Sequence, residues 1–224
     1  MALMDEQIKK NVVDELYWDN RVDASKVTVE VNNGRVTLQG EVPTYLASTA
    51  AYDDALRILG VIGVDNMLVV RYPVGVTTPT DVEILSEIEK KLARNPDIDI
   101  LDMDITVDSG EVTLRGTVDA YWKKLHAEDL VASEPGVLII NNHLAIVPAK
   151  DVIDQDIAGD IVRSIEARAA VSADDVNVEV LNGHVILTGT VPTWAAREAA
   201  YEAAIFTAGV IDVENRIDFI APAL

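Results

Sequence analysis

The chain has 224 residues, 49% of them hydrophobic and 25% charged, and its 38 acidic side chains against 18 basic ones give a formal charge of −20. The composition is that of a folded globular protein, while the charge excludes nucleic-acid binding, which needs a basic surface to displace counterions from phosphates, and opposes broad adsorption onto anionic lipid. The absence of cysteine excludes disulfides, thiol nucleophiles and thiolate metal sites, and no apolar run approaches the ~20 residues of a membrane-spanning helix.

From the N-terminus, Asp5 and Glu6 stand where a signal peptide carries positive charge, and no apolar core of ~7–15 residues follows. The expectation as written is a cytoplasmic chain, with the periplasm as the alternative if an export signal has been removed. Ile8, Val12 and Leu16 recur at i, i+4, i+8 and predict a helix with one buried stripe. Val27, Val29 and Val31 then alternate with polar residues, the pattern of a half-buried strand. Asn33-Gly34 suits a primed hairpin turn, so Val36 and Leu38 lie on a second, antiparallel strand that ends at Gly40. Pro43-Thr44 supplies a cap and first turn for a second helix, and Gly60 ends it. Val61, Val64, Leu68 and Val70 form a last strand, parallel to a neighbour because a crossover helix precedes it.

The same series occurs three times. Gly34-Arg-Val-Thr-Leu-Gln-Gly40 aligns without a gap on Gly110-Glu-Val-Thr-Leu-Arg-Gly116 and Gly183-His-Val-Ile-Leu-Thr-Gly189, at offsets of 76 and 73 residues. A second string keeps both offsets: Gly60-Val-Ile-Gly-Val-Asp-Asn66, Gly136-Val-Leu-Ile-Ile-Asn-Asn142 and Gly209-Val-Ile-Asp-Val-Glu-Asn215. Helical stripes repeat at Ile84, Ile88, Leu92 and at Ile157, Ile161, Ile165, and first strands repeat at Met103, Ile105, Val107 and at Val176, Val178, Val180. Ser109-Gly110 and Asn182-Gly183 take the turn, Asp119 and Pro192-Thr193 open the second helices, and Ala195 to Ala204 is alanine-rich. Three αββαβ modules are predicted at 1–72, 80–148 and 153–224, joined by linkers at 73–79 and 149–152. Each is an α+β unit with two helices covering one face of a three-stranded mixed sheet. A unit this small buries only ~60% of its unfolded surface, so contact between copies is expected, through open sheet faces or edges, with a homo-oligomer as its extension.

The order αββαβ, the hairpin Gly-x-Val-x-Leu-x-Gly and the later Gly-Val-x-x-Val-x-Asn together resemble the BON domain of bacterial osmotic-stress and nodulation proteins, three times over and across nearly the whole chain. The resemblance implies a non-enzymatic module, often found in tandem in envelope proteins, that binds phospholipid or otherwise associates with membranes and is linked to osmotic or other stress. It implies a phospholipid or a membrane-bound protein as partner. The chain departs from the common pattern in having three copies and in lacking a visible export signal or lipidation cysteine.

The recurrent glycines Gly34, Gly40, Gly60, Gly110, Gly116, Gly136, Gly183, Gly189 and Gly209 are read as turn, bend and helix-end residues. No copy carries a phosphate-binding loop or dinucleotide fingerprint, and no cofactor is expected. Aromatic residues recur at the start of the second helix: Tyr45, Tyr121 with Trp122, and Trp194. Rings with one polar end suit a lipid headgroup or acyl chain, and equally the capping of a strand-to-helix corner. The first copy is the least acidic, which gives Lys9, Lys10 and Lys26 the best claim on an anionic partner. His126, His143 and His184 occupy non-equivalent positions and define neither a metal site nor a triad. Asp97, Asp99, Asp102, Asp104 and Asp108 lack the spacing of a calcium loop, so no metal is expected. Two functional classes follow: a non-catalytic module binding phospholipid or a membrane-associated partner in stress adaptation or transport-associated assembly, or a soluble self-associating scaffold whose acidity favours a cationic protein partner.

Overall fold

A computed structural model describes residues 2–72, 75, 77–150, 152–168 and 171–219. Pro73, Val74 and Val76 of the first expected linker, Asp151 of the second, Met1, residues 220–224 and the side chain of Phe219 lie outside the described residues.

The first module runs α1 (Ala2–Trp18), β1 (Val27–Asn32), β2 (Arg35–Val42), α2 (Tyr45–Arg57) and β3 (Gly63–Val70). The second runs α3 (Asp81–Arg94), β4 (Met103–Asp108), β5 (Glu111–Val118), α4 (Tyr121–Ala132) and β6 (Ile139–Ile146). The third runs α5 (Asp154–Glu166), β7 (Val176–Leu181), β8 (His184–Val191), α6 (Trp194–Ile205) and β9 (Asp212–Phe219). The described strands form three separate sheets in the orders β1-β2-β3, β4-β5-β6 and β7-β8-β9. In the first and third modules the hairpin is antiparallel and the last strand pairs parallel with the central one. The fold is therefore the expected α+β repeat. Contacts divide the chain into two compact units, Met1–Lys90 with Ile105–Thr113 and Asp129–Asn141, and Lys91–Asp104 with Leu114–Glu128 and Asn142–Leu224.

Alternation explains which sheet face is covered. On the central strands Val36, Leu38, Val112, Leu114, Val185 and Leu187 are fully buried under the helices, while the residues between them, Thr37, Thr113 and Ile186, are half-buried on the opposite face. The stripes of α1, α3 and α5 meet these strands: Ile8, Val12 and Leu16, then Ile84, Ile88 and Leu92, then Ile157, Ile161 and Ile165 are all buried. Each such side chain contributes about 1.5–3 kcal/mol relative to exposure. The second helices pack through small residues, Ala47, Ala50, Ala51 and Ala55 in α2 and Ala196, Ala200, Ala203 and Ala204 in α6, all buried. The uncovered faces carry cross-strand polar pairs instead, such as Arg35 with Asp65 at 2.7 Å and Arg71 with Glu41 at 2.9 Å.

The turns follow the residues. Asn33 and Gly34 have φ of 52° and 80°, Ser109 and Gly110 53° and 78°, and Asn182 and Gly183 51° and 76°, so all three hairpins close through two successive positive φ angles. Gly40, Gly116 and Gly189 have φ of 127°, 119° and 136°. A Cβ at Gly40 would stand 2.0 Å from the carbonyl oxygen of Lys26, which makes glycine obligatory where the hairpin closes against its own start. One detail departs from expectation: Val61, Val137 and Val210 are buried yet precede their strands, which open at Gly63, Ile139 and Asp212. The positive φ of Gly60, Gly136 and Gly209 turns each chain back toward the core before pairing begins.

Candidate functional site

Three polar devices recur around this core. At the start of each first helix an aspartate turns away from capping its own helix and accepts the hairpin amides. Asp5 takes Asn33 N and Gly34 N at 3.0 and 2.9 Å, Asp81 takes Ser109 N and Gly110 N at 2.8 and 2.9 Å, and Asp154 takes Asn182 N and Gly183 N at 2.8 and 2.9 Å. The α3 start is closed separately by Thr80 and Glu83, whose side chains bond each other's backbone N–H at 3.4 and 2.8 Å. The last residue of the Gly-Val-x-x-Val-x-Asn string faces the second helix: Asn66 Nδ2 donates to Ser48 O at 3.1 Å, and Asn142 Nδ2 to Lys124 O at 2.9 Å. In the third copy Arg197 takes over this link, donating to the carbonyls of Ile217 and Asn215 at 2.9 and 3.2 Å. Finally, Thr44 and Thr193 cap α2 and α6 by accepting from Ala47 N and Ala196 N at 3.0 and 3.1 Å.

The aromatic residues singled out by recurrence do open their helices, Tyr45, Tyr121 and Trp194 being the first residues of α2, α4 and α6, but their surroundings differ. Tyr45 is half-buried at its corner. Tyr121 packs against the core of the third module, its hydroxyl bonded to that of Tyr201, and burial pushes its phenol pKa well above the usual value. Trp194 lies under the Arg197 guanidinium, 4.8 Å from the ring centroid. Of the lysines, Lys9 and Lys10 are exposed on α1, and Lys26 stands 3.9 Å from Asp23, so they join no aromatic cluster.

The aromatic residue beside the recurrent one makes the most developed site. Trp122 and Phe206 lie with ring centroids 6.0 Å apart, at the edge of a pocket of about 340 Å³ that Lys123, Lys150, Asp119 and Val152 also line. The Lys123 ammonium sits 5.7 Å from the Trp122 centroid and 2.9 Å from Asp119. Lys150 is exposed and supplies the second cation. Apolar lining beside Lys150 and an Asp119-paired Lys123, a net charge of one positive among the three, can take a ligand having an apolar part and an anionic head. Sequence reasoning named Trp122 but missed Lys123, Lys150 and Phe206, which come from a helix, a linker and the end of another helix; no spacing rule unites them. His126 bonds Asn95 at 2.8 Å, His184 stands 3.7 Å from Asp212, and His143 is exposed. Asp99 caps a short turn through Leu101 N at 3.1 Å. Among the described residues no three His, Asp or Glu side chains are gathered to hold a metal ion, and no helix is long and apolar enough to cross a membrane.

Turn, clamp and core recur in three copies, and this is the architecture of one module family. The BON domain model matches residues 4–72, 80–148 and 153–221, and the chain belongs to that family. It is similar to the Osmotically-inducible protein Y of Escherichia coli (strain K12), with 29% identity over 141 residues that make up 60% of this chain and 70% of that protein. Among solved structures, the C-terminal domain of CdsD, the structural protein of the type III secretion system of Chlamydia trachomatis, is 15% identical over 94% of this chain and 96% of its own, at a TM-score of 0.27. A second CdsD structure is 14% identical over 96% and 92%, at a TM-score of 0.28. Superpositions at that level support no inference.

Proposed function

We propose that this chain is a non-catalytic BON-repeat protein that binds phospholipid at a membrane surface, and that it does so in osmotic or envelope stress adaptation or transport-associated assembly. The observation that carries the reading is the pocket lined by Trp122, Phe206, Lys150 and the Asp119-paired Lys123. In a chain of formal charge −20, binding to an anionic surface requires a local cationic feature, and this pocket supplies one next to aromatic surface. The relationship to a protein named for osmotic induction supports the stress setting. The occurrence of BON modules in envelope proteins favours the periplasmic alternative over the cytoplasmic one, and fractionation of the native cells decides between them.

The test is co-sedimentation of the full chain with vesicles of phosphatidylcholine alone or with phosphatidylglycerol, at low and high salt. Binding to the anionic vesicles that weakens in salt and is lost in Trp122→Ala and in the double variant Lys123→Gln, Lys150→Gln supports the reading. Absence of binding to any composition overturns it; self-association in light scattering together with that absence favours the soluble scaffold.

A further inference from the structure

The first module holds a buried carboxyl that neither its scaffold nor the proposed pocket uses. Asp54, near the end of α2, is 3% exposed, and its Oδ2 has no hydrogen-bond donor when counted as a carboxylate. Its Oδ1 is 3.8 Å from Arg57 Nη1, a guanidinium that is largely in solvent. The side chain that meets it is another acid, Asp19, in the turn that follows α1. Both Asp19 oxygens already accept from Arg21, at 3.0 and 2.9 Å from Nε and 2.5 Å from Nη2, and Oδ1 also accepts Arg21 N at 2.7 Å. Two carboxylates cannot bond each other, so the contact requires a proton between them.

We propose that Asp19 and Asp54 share one proton, and that this proton is an acid-dependent clamp fastening the end of α1 to the end of α2 in the first module alone. The charged groups that face the pair are Arg21 from the turn after α1 and Arg57 from α2; beside them Asp53 of α2 faces Arg21, Arg57 and Asp129 of α4. Three carboxyls, Asp19, Asp53 and Asp54, thus stand around the Arg21 and Arg57 guanidiniums, and one bound proton relieves the excess. The other modules lack the pair: Leu130 and Ala203 stand at the position of Asp54, and Asn95 and Arg168 at that of Asp19.

The working range follows from the two environments. Burial, then the bond with Asp19, pushes Asp54 up to about 6, while Arg21 holds Asp19 down at about 2. A raised acid contributes stability that is complete below its unfolded value and is lost as pH rises through the folded one; a depressed acid contributes stability lost as pH falls. The clamp is therefore singly protonated between about pH 2 and about pH 6, and it opens above that.

Amide exchange of the full chain between pH 4.5 and 7.5, corrected for intrinsic rates, reads it directly. Peptides over residues 14–22 and 50–58 should lose protection as pH rises from 4.5 to about 6 by up to tenfold per pH unit, the slope of one linked proton, and level off above that, while peptides over 161–168 and 199–206 stay flat. Asp54→Asn, whose amide can donate to Asp19, should hold the acid-side protection at every pH. A flat wild-type profile overturns the proposal whether or not the variant folds, and so does a slope that survives Asp54→Asn or appears equally in the third module.

Discussion

The first and third modules superimpose in pattern down to the ladder register, with Val27 opposite Gly40 where Val176 is opposite Gly189, and Arg35 opposite Gly63 where His184 is opposite Asp212. At the place where their two helices end side by side they use opposite chemistry. The first brings Asp19 to the Asp54 carboxyl. The third puts Arg168 at the position of Asp19, donating to Ala199 O at 3.2 Å and to Glu202 at 2.7 Å. Backbone closure and core are thus fixed by geometry that tolerates one solution, whereas the polar seam between helices only has to be satisfied, and either a shared proton or a guanidinium satisfies it. The repeat conserves what sterics dictate and varies what electrostatics can meet in several ways.

The comparison is broken most severely at its common part. Gly40→Ala and Gly189→Ala each place a Cβ about 2 Å from a backbone carbonyl oxygen, 2.0 Å from Lys26 O and 2.1 Å from Asp175 O, at φ values that only glycine adopts readily. Each should cost about 4 kcal/mol or more, seen as loss of exchange protection in its own module before the other. Next in size are Asp5→Ala and Asp154→Ala. Either leaves two hairpin amides without their charged acceptor, a loss of about 2–3 kcal/mol, which denaturant titration should find similar in the two modules.

The seam separates the modules in sign. Asp54→Leu installs the second module's residue and removes a buried carboxyl that burial pushes up to about 6. It should stabilise the chain at pH 7.5, where the wild-type group is ionised and unclamped, by about 1–2 kcal/mol. At pH 4.5 the gain should vanish or reverse. Arg168→Leu should destabilise by about 1 kcal/mol at both pH values, since its ion pair with Glu202 is half-exposed. Thermal denaturation at the two pH values reads all four quantities.

Repeat number, element order, mixed topology and core stripes were all legible in the sequence, because each rests on a spacing that a helix or strand imposes. Asp5, Asp81 and Asp154 recur too, each standing three residues before the first stripe isoleucine, but their partners lie 28 and 29 residues away, a link that no period within a helix or strand marks. Tyr121 shows the other limit. Its position recurs, but its contact with Tyr201 depends on how the second module meets the third, which no period within a module encodes. Lys150 and Phe206 meet Trp122 for the same reason. A site assembled from non-equivalent places in a repeat leaves no repeated signature.

The smallest effect discriminates within the shared scaffold itself. Thr44 and Thr193 cap α2 and α6 with the same backbone angles, φ of −145° in both, and with bonds of 3.0 and 3.1 Å. Replacing either with alanine removes one acceptor and should cost about 1 kcal/mol. Because the capped turn carries Tyr45 in one module and Trp194 under Arg197 in the other, a scaffold role predicts equal costs for the two variants. A larger cost at Thr193, measured by urea denaturation, would show that the Arg197–Trp194 contact is coupled to the cap, and that the third module has made its recurrent aromatic residue part of its own frame.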